Sequence, residues 1–343
     1  MKTPDHIATS PSLSVTDSIY YRLIALWALC EAMLGAIIFT FRIPVSGLVI
    51  GSCAITCISL MAWYVPTKGA ILKATIIVAI FKMMLSPQAP APAYIAVFFQ
   101  GLMGELLFWN RKYFRIMCVV LAVVAMLESA FQRIISLTIV YGNDLWTAIN
   151  AFFGRLTGSS EPTDYSYFIL FWYMMLHLAV GVLVGVWTGL LPQRIQNMKG
   201  FQEQYQVRAN ETELSMPQRK RRKKVRIVLF VVWIVLLALY IQSFFKIGTA
   251  LLPSSMVLRI LIRSVIIVLT WYFLISPVLK QLLHKWLQRK KQESAVQVQE
   301  VLNLLPSTQG LISRSWQLAG QYKGWKRISL FCKIILANTF YSR

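Results

Sequence analysis

Polar and ionisable side chains interrupt the apolar stretches between residues 22 and 191, among them Glu31, Lys73, Lys82, Gln100, Glu105, Glu128, Arg133 and His177. Each is costly in hydrocarbon, so each needs a cavity, an opposite charge or a partner. Counting about 1.5 Å per residue from the ends of the apolar stretches sorts them by depth. Lys73 and Glu105 fall near one membrane face, Glu31 and His177 near the midplane, and Lys82, Glu128, Gln132 and Arg133 toward the other face. Charges of both signs and an amide at one depth can surround a polar ligand or can form a structural ion-pair network. Lys73 and Glu105 read as a neutralising pair, unless Lys73 snorkels to the interface. The candidate ligand-binding residues are Lys82, Gln100, Glu128, Gln132, Arg133 and His177. Trp146 joins them from the long connection Thr138 to Asp164, where Tyr141, Asn143, Asp144 and Asn150 give an aromatic and amide mixture that suits a ligand-facing loop or an interfacial anchor.

Other chemistry finds no support in the residues. The chain has no GxxxxGK[ST], HExxH or GxSxG, and His6, His177 and His284 are too scattered for an obvious metal site. Its cysteines, Cys30, Cys53, Cys57, Cys118 and Cys332, all fall in apolar segments. Cys53 and Cys57 stand at helical spacing, so a small-hydrophobe packing role is expected and neither disulfide nor metal. No catalytic residue and no cofactor is expected.

The elements that must position these side chains are long apolar runs, each sufficient to cross a bilayer core of roughly 30 Å as a helix. They are Arg22 to Phe41, Ser46 to Tyr64, Gly69 to Leu85, Ala93 to Trp109, Ile116 to Leu137, Tyr165 to Leu191, Val225 to Phe245 and Met256 to Ile275. A composition that is 57% hydrophobic, with a mean hydropathy of +0.59, leaves too little polar surface for a water-soluble domain. The predicted class is therefore all-α, a polytopic integral membrane protein with a six-helix bundle, a two-helix hairpin and cytoplasmic amphipathic helices. The formal charge of +22 concentrates beside the spans, so it reads as a topology signal and not as a nucleic-acid footprint. Arg111 to Arg115, Arg219 to Lys224 and Lys280 to Lys291 are all cytoplasmic under one even-span plan, with both termini inside. Met1 to Tyr21 lacks the pattern of a signal peptide.

Four segments follow: a six-span domain over 1–191, a basic linker over 192–224, a hairpin over 225–279 and an amphipathic tail over 280–343. The linker's basic run suits anionic lipid headgroups and, without interleaved aromatics, not nucleic acid. In the tail, Val296, Val298, Val301, Leu302, Leu304 and Leu305 form an apolar stripe that Pro306 is expected to end, and a second helix follows Ser307. Such helices lie on the inner membrane face or dock on a partner. Ala28, Ala32 and Ala36 recur every fourth residue on the first span. That smooth face lets a neighbouring helix approach closely, within the bundle or from another subunit.

With this small-residue face, the six-helix plan and the Pro-rich entry into Ala93-Tyr-Ile-Ala-Val-Phe-Phe-Gln-Gly-Leu-Met-Gly-Glu105, residues 20–191 resemble an S component, the substrate-binding membrane subunit of an energy-coupling factor (ECF) transporter. The resemblance implies a bacterial plasma-membrane protein that binds a vitamin or similar micronutrient near the outer side. It also implies a T-component-like partner on the face of Ala28, Ala32 and Ala36, and separate ATPase subunits that drive uptake. The C-terminal half resembles part of a T component, whose small-Arg-small triplet docks on the ATPases; Ser313-Arg314-Ser315 stands in that place. The competing expectation is a non-transporting assembly or scaffold protein that recruits partners through its basic linker and tail.

Overall fold

Glycines at residues 181, 185 and 189 bring the two longest helices of this protein backbone to backbone. The structure, a computed structural model, describes residues 15–34, 46–86, 89, 92–157, 164–205, 231, 233–234, 262 and 265–341. Among these residues all regular structure is helical. We number the main helices α1 (Val15–Leu29), α2 (Ser46–Tyr64), α3 (Ala70–Leu85), α4 (Pro92–Leu107), α5 (Phe114–Tyr141), α6 (Asn143–Thr157), α7 (Tyr165–Gln196), α8 (Lys199–Gln204), α9 (Ser276–Glu293), α10 (Ala295–Leu318) and α11 (Gly324–Tyr341). Among the described residues, three stretches are long and apolar enough to cross a bilayer: Gly47–Tyr64, Phe114–Tyr141 and Tyr165–Gln196. The apolar helix Pro92–Leu107 is shorter.

Helices α5 and α7 run antiparallel in close register. A Cβ at Gly181 would lie 2.9 Å from Val123 Cα, at Gly185 2.5 Å from Val119 Cα, and at Gly189 3.3 Å from Arg115 Cα. Where lipid removes the hydrophobic drive between helices, such close backbone approach supplies the van der Waals contact that replaces it. α2 packs against both helices, and α4 packs against α3 and α5. The remaining surface of α7 carries large exposed apolar groups such as Phe168, Phe171, Trp172 and Leu183, as expected of a face turned to hydrocarbon.

α1 is covered on all sides. Leu23 to Leu29 are all buried, which suits a helix that is apolar all round, and α2, α3, α10 and α11 pack on it. The C-terminal helices therefore share a core with the first one. Leu287, Val298, Val301, Leu305, Ile335 and Leu336 belong to the same apolar cluster as Leu23 and Ile24.

Several sequence expectations are corrected here. The described part of the segment, 280–341, packs on the preceding helices at both of their ends. On α9, His284 Nδ1 lies 2.9 Å from Met83 Sδ and Trp286 packs on Phe98, toward the Ser86 end of α3. On α11, the Thr339 carbonyl accepts from Arg22, Phe340 packs on Tyr64 and Asn338 donates to the Tyr205 carbonyl, at the opposite end. Of the apolar stripe, Val298, Val301 and Leu305 are buried in the core shared with α1, whereas Val296 is exposed.

Pro306 does not end a helix either, because α10 continues through it to Leu318. Ser307 and Thr308 both donate to the Leu304 carbonyl, and Val301, Leu305 and Thr308 are buried on either side of the proline. Packing outweighs the cost of one lost backbone bond.

The connection from Thr138 to Asp164 is largely helical. Gly142, at a φ of 72°, separates the end of α5 from α6. Pro277 follows a π-helical turn at Trp271–Ile275, a wide turn that accommodates a ring unable to donate to the turn before it. Trp233 Nε1 donates to Thr270 Oγ1 across the expected hairpin. Most of that hairpin, the linker after Tyr205 and residues 35–45 with Ala36 lie outside the described residues.

Candidate functional site

Lys82 and Glu31 form the electrostatic centre of the molecule. Glu31 sits in a π-helical turn, Cys30–Leu34, that continues α1. Such a turn carries one residue more than an α-turn, which re-aims the side chains around it. Lys82 Nζ lies 2.6 Å from Glu31 Oε2, with both side chains almost fully buried, and donates a second bond of 2.9 Å to the Ala93 carbonyl. Its ammonium also stands 5.8 Å from the Tyr94 ring centroid. The sequence groups Lys82 with Glu128 and Arg133; the structure turns it to Glu31 instead. A buried ammonium has three donors to satisfy, and Glu31 with the first turn of α4 supplies a charge and a carbonyl together.

Gln132 Nε2 donates 2.9 Å to the Pro92 carbonyl. Lys82 on α3 and Gln132 on α5 thus hold consecutive carbonyls at the entry of α4. Ser86 Oγ donates to the Ala32 carbonyl beside them.

Two turns into α4 the polar pattern changes. Gln100 is buried, and its Oε1 has no hydrogen-bond partner in the protein; the same holds for the buried Oε2 of Glu128 on α5. A Cβ at Gly51 would lie 3.6 Å from Met126 and 3.8 Å from Gln100 Nε2, and one at Gly47 would meet Ser129. α2, α4 and α5 therefore meet around Gln100, with Glu128 one turn from Gln132 on the same helix. His177 belongs to this depth as well, since it lies one turn before Gly181 and Gly181 opposes Val123. It is buried, with Nδ1 2.9 Å from the Tyr173 carbonyl and its ring 4.4 Å from that of Tyr173.

Arg133 and Trp146 stand apart from this group. Arg133 is exposed on α5 and forms no ion pair with Glu128. Trp146 is half-buried on α6, a helix tied to α7 by Asn150, which accepts from the Ser166 N–H and donates to Asp164.

Lys73 and Glu105 do not pair. Lys73 is exposed, whereas the Glu105 carboxylate accepts from the N–H groups of Gly69, Ile71 and Leu72 at 2.6, 3.1 and 3.4 Å. It caps the start of α3, where free N–H groups and the helix dipole favour an anion. Glu105→Gln is expected to lower stability by about 1 to 2 kcal/mol and Lys73→Gln to change it little. Thermal unfolding of the two variants in one detergent checks the contrast.

Ala28 and Ala32 are buried beneath this chain's own helices. Arg314 is exposed on α10, where it donates to Gln317 Oε1 at 3.1 Å. What the residue-by-residue reading missed is the run Gly181, Gly185, Gly189. Its four-residue spacing is as visible in the sequence as that of the alanines.

The fold and the buried polar groups define a class: a protein helical throughout its described regular structure, with three helices apolar enough to suit a membrane, a buried ion pair between α3 and the turn after α1, and buried acceptors on α4 and α5. No family model matches the chain, and no curated protein or solved structure matches it either.

Proposed function

We propose that this protein is a membrane subunit for uptake of a vitamin or similar micronutrient, which binds its solute among Gln100, Glu128 and the neighbouring faces of α2 and α5. The observation that carries the reading is the pair of buried acceptors without partners, Gln100 Oε1 and Glu128 Oε2. Buried polar atoms are nearly always hydrogen-bonded, and an unmet pair in an apolar setting is what a bound polar molecule satisfies. Lys82 is already matched by Glu31, so the unmet atoms are acceptors and favour a solute that presents N–H or O–H donors.

In this proposal the chain is multi-pass in a bacterial plasma membrane, with both termini cytoplasmic. The meeting of Arg22 on α1 with Thr339 near the C-terminus supports placing the two ends on one side. T-component-like and ATPase partners drive uptake, and anionic lipids bind the basic linker. The packing of α10 along α1 supports a particular version, in which the chain supplies part of its own coupling module. Arg314, exposed on that helix, is the residue that would meet an ATPase.

Mass spectrometry of small molecules released from protein purified in mild detergent tests the proposal. Wild type should release a stoichiometric solute. Gln100→Leu and Glu128→Gln should release at least about tenfold less while keeping their thermal stability, because each removes or neutralises an unmet acceptor. Co-purification of a large protein assembly with no small molecule would support the scaffold alternative instead.

A further inference from the structure

A second site lies at the other end of the α5 and α7 pair. There the two helices and the end of α2 flank an open groove of about 500 Å³, lined among others by Trp63, Lys112, Phe114, Arg115, Ile116 and Pro192. The lining divides into two chemistries. Lys112 and Arg115 are exposed cations, and no acidic residue lines the groove. Trp63, Phe114, Ile116 and Pro192 form the apolar part, and Gly189, packed on the backbone of Arg115, leaves the floor without a side chain.

The position matters as much as the lining. Both helices are long and apolar enough to cross a bilayer, and this is where α5 begins and α7 ends. The exposed rings of Trp63, Tyr113 and the nearby Trp109 are of the kind that concentrates at a membrane–water interface. Among the described residues, no carboxylate forms an ion pair with Lys112 or Arg115.

We infer that this groove binds one anionic phospholipid, with the phosphate at Lys112 and Arg115 and an acyl chain running down past Ile116. Two cations without a carboxylate partner above an apolar slot complement an anionic headgroup on a hydrocarbon chain. A free phosphate would use the cations and leave the slot unmatched. This lipid site is independent of the solute site among Gln100 and Glu128, and it involves different residues from the basic run at Arg219 to Lys224.

The test is native mass spectrometry of purified full-length protein exposed to an equimolar mixture of phosphatidylglycerol and phosphatidylcholine in mild detergent. Wild type should retain one phosphatidylglycerol in preference to phosphatidylcholine. Lys112→Gln and Arg115→Gln should each weaken retention about fivefold, and the double variant about thirtyfold. Lys323→Gln with Lys326→Gln, two exposed positions just before α11 and in its first turn, is the control for bulk charge and should retain the lipid as wild type does. Equal retention of the two lipids overturns the inference. So does an unchanged double variant, an equal loss in the control, or displacement of the lipid by millimolar inorganic phosphate. Circular dichroism of the double variant should match wild type, since both side chains are exposed.

Discussion

Replacing Glu31 by glutamine is expected to lower the stability of this protein by about 3 to 5 kcal/mol, because it strands the Lys82 ammonium in the core. The Ala93 carbonyl would remain as its acceptor, but a carbonyl carries no full charge. Lys82→Met should cost a similar amount, since it leaves the Glu31 carboxylate equally isolated. The double variant Glu31→Gln with Lys82→Met should recover most of the loss, as neither remaining group is ionised. Thermal unfolding of the four proteins forms a double-mutant cycle, and a coupling energy near zero would show that the pair does not act as a unit. If the ion pair only holds the fold, solute release from the double variant stays at the wild-type level.

An equally large effect is expected at Gly185. A Cβ there would lie 2.5 Å from Val119 Cα, and the obstacle is backbone that cannot rotate away. Gly185→Ala should therefore cost about 3 kcal/mol, at the upper end of overpacking costs, and Gly185→Leu should separate α5 from α7. Gly181→Ala, at 2.9 Å from Val123 Cα, should follow with a smaller loss. Gly154 on α6 has nothing within 4 Å of its Cβ position, so Gly154→Ala should be neutral or stabilise by up to about 1 kcal/mol. Thermal stability of the four variants in one detergent gives the ranking. Equal effects at Gly154 and Gly185 would refute close packing as the cause.

The physical signals differ in how far they can be read along a chain. Apolar runs such as Ser46 to Tyr64 and Tyr165 to Leu191 are local, so their helices are legible from composition alone, and α2 covers Ser46–Tyr64. The end of α7 runs past Leu191 through Pro192 to Gln196, a boundary that packing decides and the apolar pattern does not. Depth counting singles out Lys82 and Glu128 but cannot say which way a side chain turns about its helix. Lys82 therefore meets Glu31 from another helix, and Glu105 meets three backbone N–H groups instead of Lys73. The apolar stripe of Val298, Val301 and Leu305 is equally legible as a stripe. Its occupant, a helix almost three hundred residues earlier, leaves no mark in the local pattern.

The enclosure of α1 by α10 and α11 imposes an order on how the molecule is made. Arg22 and Thr339, 317 residues apart, are hydrogen-bonded partners, so α1 is synthesised long before α10 and α11 can pack on it. During that interval α2 and α3 are the early described helices that pack on Leu23 to Leu29, and Glu31 finds its counter-charge once Lys82 has been synthesised. The early helices are thus held in a provisional arrangement until α10 and α11 complete the burial of α1. A nascent chain that stops before α10 would leave α1 partly uncovered, giving quality-control proteases and insertion chaperones a local means of telling an unfinished molecule from a finished one.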